Sequence, residues 1–222
     1  MLTITRRQLL GAATIAGIGP LTMSGNATAA QPGLDLQFIL HAVFFSDETH
    51  QAKPLDPHAF VRDASAPDAV GLQNIHHVAG FRPAFVADPL DVEVFDAEGK
   101  SLGFSLADWF AAKGFVRITP DGAGARIVCQ FTQLRPNGVY SLFENHFDQK
   151  PIGFTPSDGT GRSSSFAADA KGSAAIDFLS PKALTHDNAV LLVYHSDNRS
   201  HGEQRGEIGV TAHHQIIVRV PA

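Results

Sequence analysis

The spacing of turn residues is the feature that most constrains the fold of this chain. From residue 115 onward, short runs of β-branched and aromatic residues alternate with turns rich in Gly, Pro, Asn and Asp, such as PDGAG and RPNG. Short strands joined by such turns are typical of an antiparallel β-sandwich or barrel. The pattern predicts seven strands, at residues 115–119, 125–132, 139–147, 162–167, 173–179, 188–195 and 213–220.

The first half of the chain is less regular. Residues 36–45 (LQFILHAVFF) form a nearly continuous apolar run with aromatic and β-branched members. Such a run favours a strand that is buried on both faces. Residues 46–90 are interrupted by prolines and polar breaks, which predict long loops with short pieces of structure.

A hairpin and a short helix are predicted next. The turn DAEGK at residues 96–100 separates two strand-like runs. A helix is expected over residues 106–113, with Ser105 as its N-cap and Gly114 in the left-handed position after its end. The fold class predicted for residues 30–222 is therefore all-β: one antiparallel β-sandwich domain, Greek-key or barrel-like, with one short helix and long N-terminal loops.

The N-terminus has the pattern of an export signal. Residues 5–10 read TRRQLL, an apolar stretch continues to about Met23, and the small residues ATA at 27–29 fit a cleavage site. The paired arginines resemble the bacterial twin-arginine signal, with an ordinary secretory signal as the alternative. The apolar stretch is too short to span a bilayer. Residues 1–29 are therefore predicted to be a twin-arginine-like signal peptide, and the mature protein to be periplasmic or secreted and not membrane-bound.

The charge balance excludes one class of partner. The chain has 17 basic and 22 acidic residues, and its only charged residues before position 30 are Arg6 and Arg7. The rest of the chain therefore carries a formal charge of −7. Nucleic-acid binding needs a dense basic face, so no nucleic-acid partner is expected.

The chain contains a single cysteine, Cys129. An oxidising compartment permits disulfides, but one cysteine cannot form an internal bridge. Cys129 alternates with Ile127 and Phe131 in a strand-like run, which places it on an apolar face. We expect a buried and unreactive thiol.

Candidate chemistry lies with the eleven histidines. Imidazole is a common ligand for zinc and copper. His195 ends an apolar strand, His201 lies in the polar loop that follows, and His213 and His214 open the last predicted strand with side chains on opposite faces. We predict a copper or zinc site formed by His195, His201 and His213 or His214, with His146 as a further candidate.

Other side chains can complete such a site. His41 is a possible additional ligand, and Glu203 is a second choice. Asp197, Glu203 and Glu207 can bind a metal, orient an imidazole or act as general bases, and they can equally be solvated loop charges. His50, His58 and His186 are expected to be ordinary hydrogen-bonded residues.

Several known site patterns are missing from the sequence. It contains no His-x-His pair, no His-Glu-x-x-His and no Cys-x-x-Cys. Cys129 lacks the nearby downstream histidine and methionine of a blue-copper centre. Gly-x-Ser-x-Gly, the Walker loop and the dinucleotide fingerprint are also absent. The histidines are thus numerous but have no diagnostic spacing.

One segment resembles a known kind of β-sandwich unit. Residues 131–140 (FTQLRPNGVY), followed by ENH at 144–146, are similar to the strand-turn-strand unit of copper/zinc superoxide dismutase-like and CHRD-type domains. The resemblance covers about 20 residues and lacks both the His-x-His after the turn and the cysteine pair. It implies a sandwich with histidines near one rim, and it does not imply dismutase activity.

Two functions remain open from the sequence. The first is an exported metal-binding β-sandwich, either a copper or zinc carrier or a metal-dependent oxidoreductase. The second is a cofactor-free ligand-binding or protein-interaction module that uses loops 46–90 and 148–162. Losing a ligand that binds the folded state lowers the melting temperature. A cofactor-free module has no metal to lose, so the second function predicts that a chelator leaves the melting temperature unchanged.

Overall fold

A computed structural model describes residues 33–222, so the predicted signal peptide at residues 1–29 lies outside the described part of the chain. The helices are α1 (His41–Glu48), α2 (Leu106–Ala111) and a 3₁₀ turn (Leu72–Asn74). The strands are β1 (Leu34–Gln37), β2 (Ile39–Leu40), β3 (Leu55–Arg62), β4 (Ala69–Val70), β5 (His76–His77), β6 (Phe81–Phe85), β7 (Glu93–Phe95), β8 (Ser101–Ser105), β9 (Lys113–Asp121), β10 (Gly124–Thr132), β11 (Val139–His146), β12 (Gly153–Pro156), β13 (Ser165–Ala167), β14 (Ala174–Ser180), β15 (Asn188–His195) and β16 (Ala212–Arg219).

The strands form antiparallel sheets, as predicted. Sheet A has the order β1-β9-β10-β14, and sheet B has the order β12-β11-β15-β16-β2, with β13 also paired to β11. Sheet C has the order β6-β3-β7-β8, and β4 pairs with β5. All-β antiparallel architecture is therefore confirmed. Among residues 33–222, no helix has the length and apolar character needed to cross a membrane.

The main core lies between sheets A and B. Ile127 and Phe131 of sheet A belong to the same buried cluster as Tyr140 and Leu192 of sheet B. Burying a side chain of this size contributes about 1.5–3 kcal/mol, so the inward rows of the two sheets hold the layers together. Cys129 lies in this cluster as a free thiol, and burial raises its pKa, which confirms the prediction of a buried cysteine.

Sheet B is covered on its second face as well. Phe143, Leu191 and Ile217 form a separate buried cluster, against which Phe44 of α1 and Phe154 of β12 pack. Because both faces are covered, β15 is buried along its whole length. This explains the continuous apolar run in its sequence, which a strand with one solvated face does not show.

The prediction of one strand over residues 36–45 is wrong for its second half, which forms α1. The buried residues of α1 are His41, Ala42, Phe45 and Ser46, a spacing of one and four residues that matches one helix face. A short all-apolar run does not distinguish a strand from a buried helix. Packing against β3 and β16 favours the helix over a strand for this run.

Residues 46–90 contain more strand than their prolines suggested. Four strands lie there, and β3 extends for eight residues despite Pro57. The pairing of β3 with β6 shifts register between Asp56 and Phe60. Pro57 lies in this irregular segment, where its missing backbone N–H costs no ladder hydrogen bond.

The short helix α2 is confirmed, with one correction at its end. Ser105 accepts a hydrogen bond from the Asp108 backbone N–H, and the Asp108 side chain accepts from the Ser105 backbone N–H, which forms a capping box. The predicted left-handed role of Gly114 is wrong, because Gly114 lies within β9. A Cβ atom there would lie 2.7 Å from the Phe131 ring, so glycine is needed for close packing.

Candidate metal centre

The loop between β15 and β16, residues 196–211, carries the first group of candidate ligands. His195 is the last residue of β15 and pairs with Val139 of β11 and Ala212 of β16. Asp197 and His201 follow in the loop. We call His195, Asp197 and His201 the rim triad, because β15 ends at this edge of sheet B. Each of the three offers one ligand atom, and these atoms lie within 4.8 Å of one another.

A chain of hydroxyl groups orients the His195 ring. His195 Nε2 lies 2.9 Å from Ser141 Oγ, and Ser141 Oγ lies 2.8 Å from Ser165 Oγ. Ser165 donates its proton to the Gly161 carbonyl, so Ser141 donates to Ser165 and His195 Nε2–H donates to Ser141. His195 Nδ1 therefore keeps its lone pair, and it is buried without a hydrogen-bond partner.

The other two members of the rim triad face the same region. His201 Nε2 lies 3.1 Å from Asp197 Oδ2, but the two groups are not aligned for a hydrogen bond. The ring centroids of His195 and His201 are 5.3 Å apart. Ligands of one tetrahedral zinc ion are about 3.3 Å from each other, given zinc–nitrogen bonds of about 2.0–2.1 Å. A modest contraction of the loop thus brings the three groups to bonding distance.

Burial differs across the rim triad. His195 is fully buried, whereas the side chains of His201 and Asp197 are about a quarter exposed, at 27% and 28%. Burial, together with the neighbouring His201, lowers the pKa of His195 to about 4. His195 is therefore neutral at pH 7, which is the form that binds metal. One side of the triad is fixed in the sheet, and the other is open to solvent.

A second histidine group lies inside the protein. His41 of α1, His58 of β3 and His214 of β16 form what we call the buried trio, and each offers one ligand atom within 4.8 Å of the others. Their exposed fractions are 4%, 0% and 1%. The ring centroids are 4.0 Å apart for His58 and His214 and about 5 Å apart for the other two pairs. Within residues 33–222, the Nδ1 atom of each ring is buried without a hydrogen-bond partner.

A single cation lies beside the buried trio. Arg205 Nη1 donates to His214 Nε2 at 3.1 Å, and the Arg205 guanidinium lies 3.3 Å from the centre of the Phe154 ring. Within residues 33–222, no carboxylate forms an ion pair with Arg205, and burial lowers its pKa to about 10. Burial and the charge of Arg205 lower the pKa of His41 to about 3. Burial likewise holds the pKa values of His58 and His214 well below the usual range.

The structure divides the five predicted ligands among different surroundings. His195 and His201 come together in the rim triad, and His214 belongs to the buried trio. His213 Nδ1 donates to the His58 carbonyl at 2.7 Å, and its ring packs near Trp109 on the other side of sheet B. His146 lies 2.8 Å from Thr155 Oγ1 and joins neither group. Metal binding by the predicted set as a whole stays a prediction.

An irregularity in β16 sets the face of sheet B that His214 takes. Leu192 pairs with Ile216 and Val193 pairs with His214, so Gln215 is an extra residue in the ladder. An extra residue of this kind re-aims the side chains beyond it. His214 consequently faces the side of sheet B that α1 covers, where His41 lies.

Sequence reasoning missed one member of the buried trio and left another open. The sequence predicts an ordinary hydrogen-bonded residue at His58; its Nε2 does bond Gln73, and the ring is fully buried in β3. The sequence indicates His41 as a possible ligand, although it predicts a strand at this position. Asp197 was among the candidate carboxylates, and the structure places it beside two histidines. Only the tertiary contacts between α1, β3 and β16 reveal the trio.

Comparison of the chain with known protein families, curated proteins and solved structures finds no match. The chemistry of the two groups is therefore the basis for a functional conclusion. Both groups can hold a metal ion, because each provides three convergent ligand side chains. The rim triad combines two imidazoles with a carboxylate, whereas the buried trio consists of imidazoles alone.

Proposed function

We propose that this chain is a metal-binding protein whose rim triad holds a divalent ion, zinc or copper. The observation that carries the proposal is the state of His195. Its Nδ1 atom is buried without a partner, and the Ser141 hydroxyl holds the ring with that lone pair free. Metal-ligating histidines typically donate their other ring N–H to such a neighbour.

The charge and the donor atoms of the rim triad support a divalent ion. Two neutral imidazoles and the carboxylate of Asp197 supply one negative charge, which offsets part of the charge of the ion. Nitrogen and oxygen donors of this kind suit zinc and copper. A divalent ion buried without a compensating negative charge is strongly disfavoured.

Three protein ligands leave coordination positions for other groups. Structural zinc sites are closed by four protein ligands, whereas sites with three keep a position for water or substrate. Asp197 and His201 are partly exposed, so the open positions face solvent. This geometry supports a centre that exchanges a ligand, as in a metal carrier or a metal-dependent enzyme, over a purely structural ion.

Metal titration of site variants tests this proposal. We expect untagged protein to bind one Zn²⁺ per chain in calorimetry, with elemental analysis as confirmation, and the double variant D197A/H201A to bind none. H76A is a matched control, because it removes half of an exposed His–Asp pair (His76 to Asp68, 2.8 Å) that has no third ligand. Equal stoichiometry in D197A/H201A and the parent would contradict the assignment. A parent that binds neither Zn²⁺ nor Cu²⁺ would favour the cofactor-free binding module.

We also propose that the protein works outside the cytoplasm. The support is the sequence TRRQLL at residues 5–10, followed by an apolar stretch and the small residues at 27–29. N-terminal sequencing of the exported protein is expected to find a start at about residue 30. Replacement of Arg6 and Arg7 by Lys is expected to block export, and unchanged export would point to the ordinary secretory route.

A further inference from the structure

We propose that the buried trio is a second metal site, separate from the rim triad, and that it binds a monovalent cuprous ion. Three imidazoles from α1, β3 and β16 converge there, and each has a buried Nδ1 atom without a hydrogen-bond partner. Buried polar atoms are nearly always paired in folded proteins, and groups without a partner often mark an ion. Each member of the trio also offers one ring nitrogen within 4.8 Å of those of the other two, so the three rings share a common binding point.

The His58 ring is already oriented for this role. His58 Nε2 lies 2.6 Å from Gln73 Oε1, and an amide oxygen only accepts hydrogen bonds. His58 Nε2 therefore carries the proton, and its buried Nδ1 keeps a lone pair. Gln73 has a φ of 57°, which is uncommon for a residue other than glycine. The backbone thus adopts a costly conformation at the residue that fixes this ring.

The positive charge of the surroundings disfavours a divalent ion more strongly than a monovalent one. The three imidazoles are neutral ligands, and the charged side chain that acts on all three rings is Arg205, a cation. The cost of burying an ion rises with the square of its charge, so a divalent ion is much less favourable here than a monovalent one. Among metal ions that imidazole binds well, Cu(I) has the single charge and accepts three nitrogen ligands without water.

Arg205 competes with the ion for His214. The guanidinium donates to His214 Nε2, which leaves the His214 proton on Nδ1. When Nδ1 binds the ion, this proton is transferred to Nε2, which can then no longer accept from Arg205. Metal binding thus requires Arg205 to leave His214, and removal of the Arg205 charge is expected to tighten binding.

The test uses D197A/H201A protein, in which the rim triad is absent and the buried trio is intact. Cu(I) is supplied anaerobically as its bicinchoninate complex, and transfer to the protein is followed by absorbance. We expect one Cu(I) per chain, and at least tenfold tighter binding when R205M is added. R205M keeps an apolar stem over Phe154, and the matched R205K variant keeps the charge and is expected to bind like D197A/H201A. Absence of Cu(I) binding in the folded R205M protein would overturn the proposal.

A second measurement identifies the ligands without changing the core. In histidine ¹⁵N spectra of the D197A/H201A protein, Cu(I) is expected to shift the Nδ1 signals of His41, His58 and His214 and to leave His76 unchanged. Shifts confined to other histidines would overturn the assignment. The rim-triad proposal is contradicted by a different result, the absence of Zn²⁺ binding by the parent protein. The two proposals are therefore tested independently.

Discussion

At the scale of single residues, Ser141 determines which nitrogen of His195 is available. Its hydroxyl accepts from Nε2 because its own proton is donated to Ser165, whose proton goes in turn to a backbone carbonyl. Each step fixes the next, since a hydroxyl has one proton to donate. The free lone pair of His195 Nδ1 is therefore set by a hydrogen-bond chain through Ser141 and Ser165.

Replacing Ser141 by Ala tests this arrangement. S141A leaves the His195 ring without its partner, so we expect zinc affinity to fall by about 10–100-fold, the usual effect of removing a group that orients a ligand. The measurement is a competitive zinc titration. S163A is the control, because Ser163 is exposed and, within the described residues, its hydroxyl makes no hydrogen bond. Equal affinities of S141A and S163A would refute the role of Ser141.

Asp158 makes stability depend on pH. Burial raises the pKa of Asp158, but the backbone N–H groups of Thr160, Ser163 and Gly161 outweigh this effect and hold it well below its usual range. A lowered carboxyl pKa stabilises the folded state above the unfolded-state pKa of about 3.9. This stabilisation is expected to be lost progressively as the pH falls below about 4.

The D158N variant measures this contribution. At pH 6 we expect a loss of about 1–3 kcal/mol in the free energy of unfolding, because the amide group cannot accept all of these bonds. The difference from the parent protein should shrink as the pH approaches 2. Denaturant unfolding across this range is the measurement, with D121N, a change of an exposed carboxylate, as the control. A difference that does not depend on pH would contradict the assignment.

At the scale of elements, two loops meet beside the rim triad. Gly161 contacts the loop of residues 196–211 so closely that a Cβ atom there would lie 2.0 Å from the Gly202 carbonyl oxygen. Gly161 also has a φ of 72°, which favours glycine. Ser200 Oγ donates to Ser165 Oγ at 2.9 Å and ties the same two loops together. The position of Asp197 and His201 therefore depends on this contact.

Substituting Gly161 by Ala is expected to displace the ligand loop. G161A should destabilise the protein by about 1–3 kcal/mol, because the methyl group overlaps backbone atoms. It should also weaken zinc binding. G122A is the control, since Gly122 has a φ of 59° but nothing within 4 Å of its Cβ position. Chemical denaturation and zinc titration measure both effects, and parent-like zinc affinity in G161A would show that the loop contact does not position the ligands.

Some secondary-structure elements of this protein are predictable from the sequence and others are not. Most strands from residue 113 onward follow the sequence pattern, because turns and apolar runs are local signals, but β12 lies in a segment that the pattern predicts as a loop. Helix α1 does not, since its apolar run fits a strand equally well. The extra residue Gln215 in β16 sets which face of sheet B His214 takes, whereas strand alternation predicts only that His213 and His214 lie on opposite faces. No local signal marks such an irregularity.

At the scale of the whole molecule, both candidate sites lie on one sheet whose two faces are covered. The rim triad begins at the end of β15, and the buried trio includes His214 of the adjacent β16. Packing of α1 and β3 against sheet B places His41 and His58 beside that strand. Metal binding to either site therefore links elements that are distant in sequence.

Zinc is expected to raise the thermal stability of the folded protein. A ligand at about 100 times its Kd stabilises by about 2.7 kcal/mol. For a chain of this size, that free energy corresponds to an increase of about 5–11 °C in Tm. Differential scanning calorimetry with zinc, and then with a chelator, measures the shift. The D197A/H201A variant should show none, and an equal shift in that variant would place the ion elsewhere.

Local sequence signals predict the all-β class, most antiparallel strands of the second half, the capped helix α2 and the buried thiol of Cys129. These features follow from local periodicity, turn chemistry and capping, which act over a few residues. The sequence also points to His195 and His201, because both lie close together along the chain at the end of an apolar strand.

Which histidines lie together depends on the packing of distant segments. His41, His58 and His214 are far apart in sequence, and their convergence depends on a helix in place of a strand, on a shifted register and on packing across sheet B. The free lone pair of His195 likewise depends on serines of β11 and β13. Contacts between distant segments have no local signature, because they arise only when the layers pack.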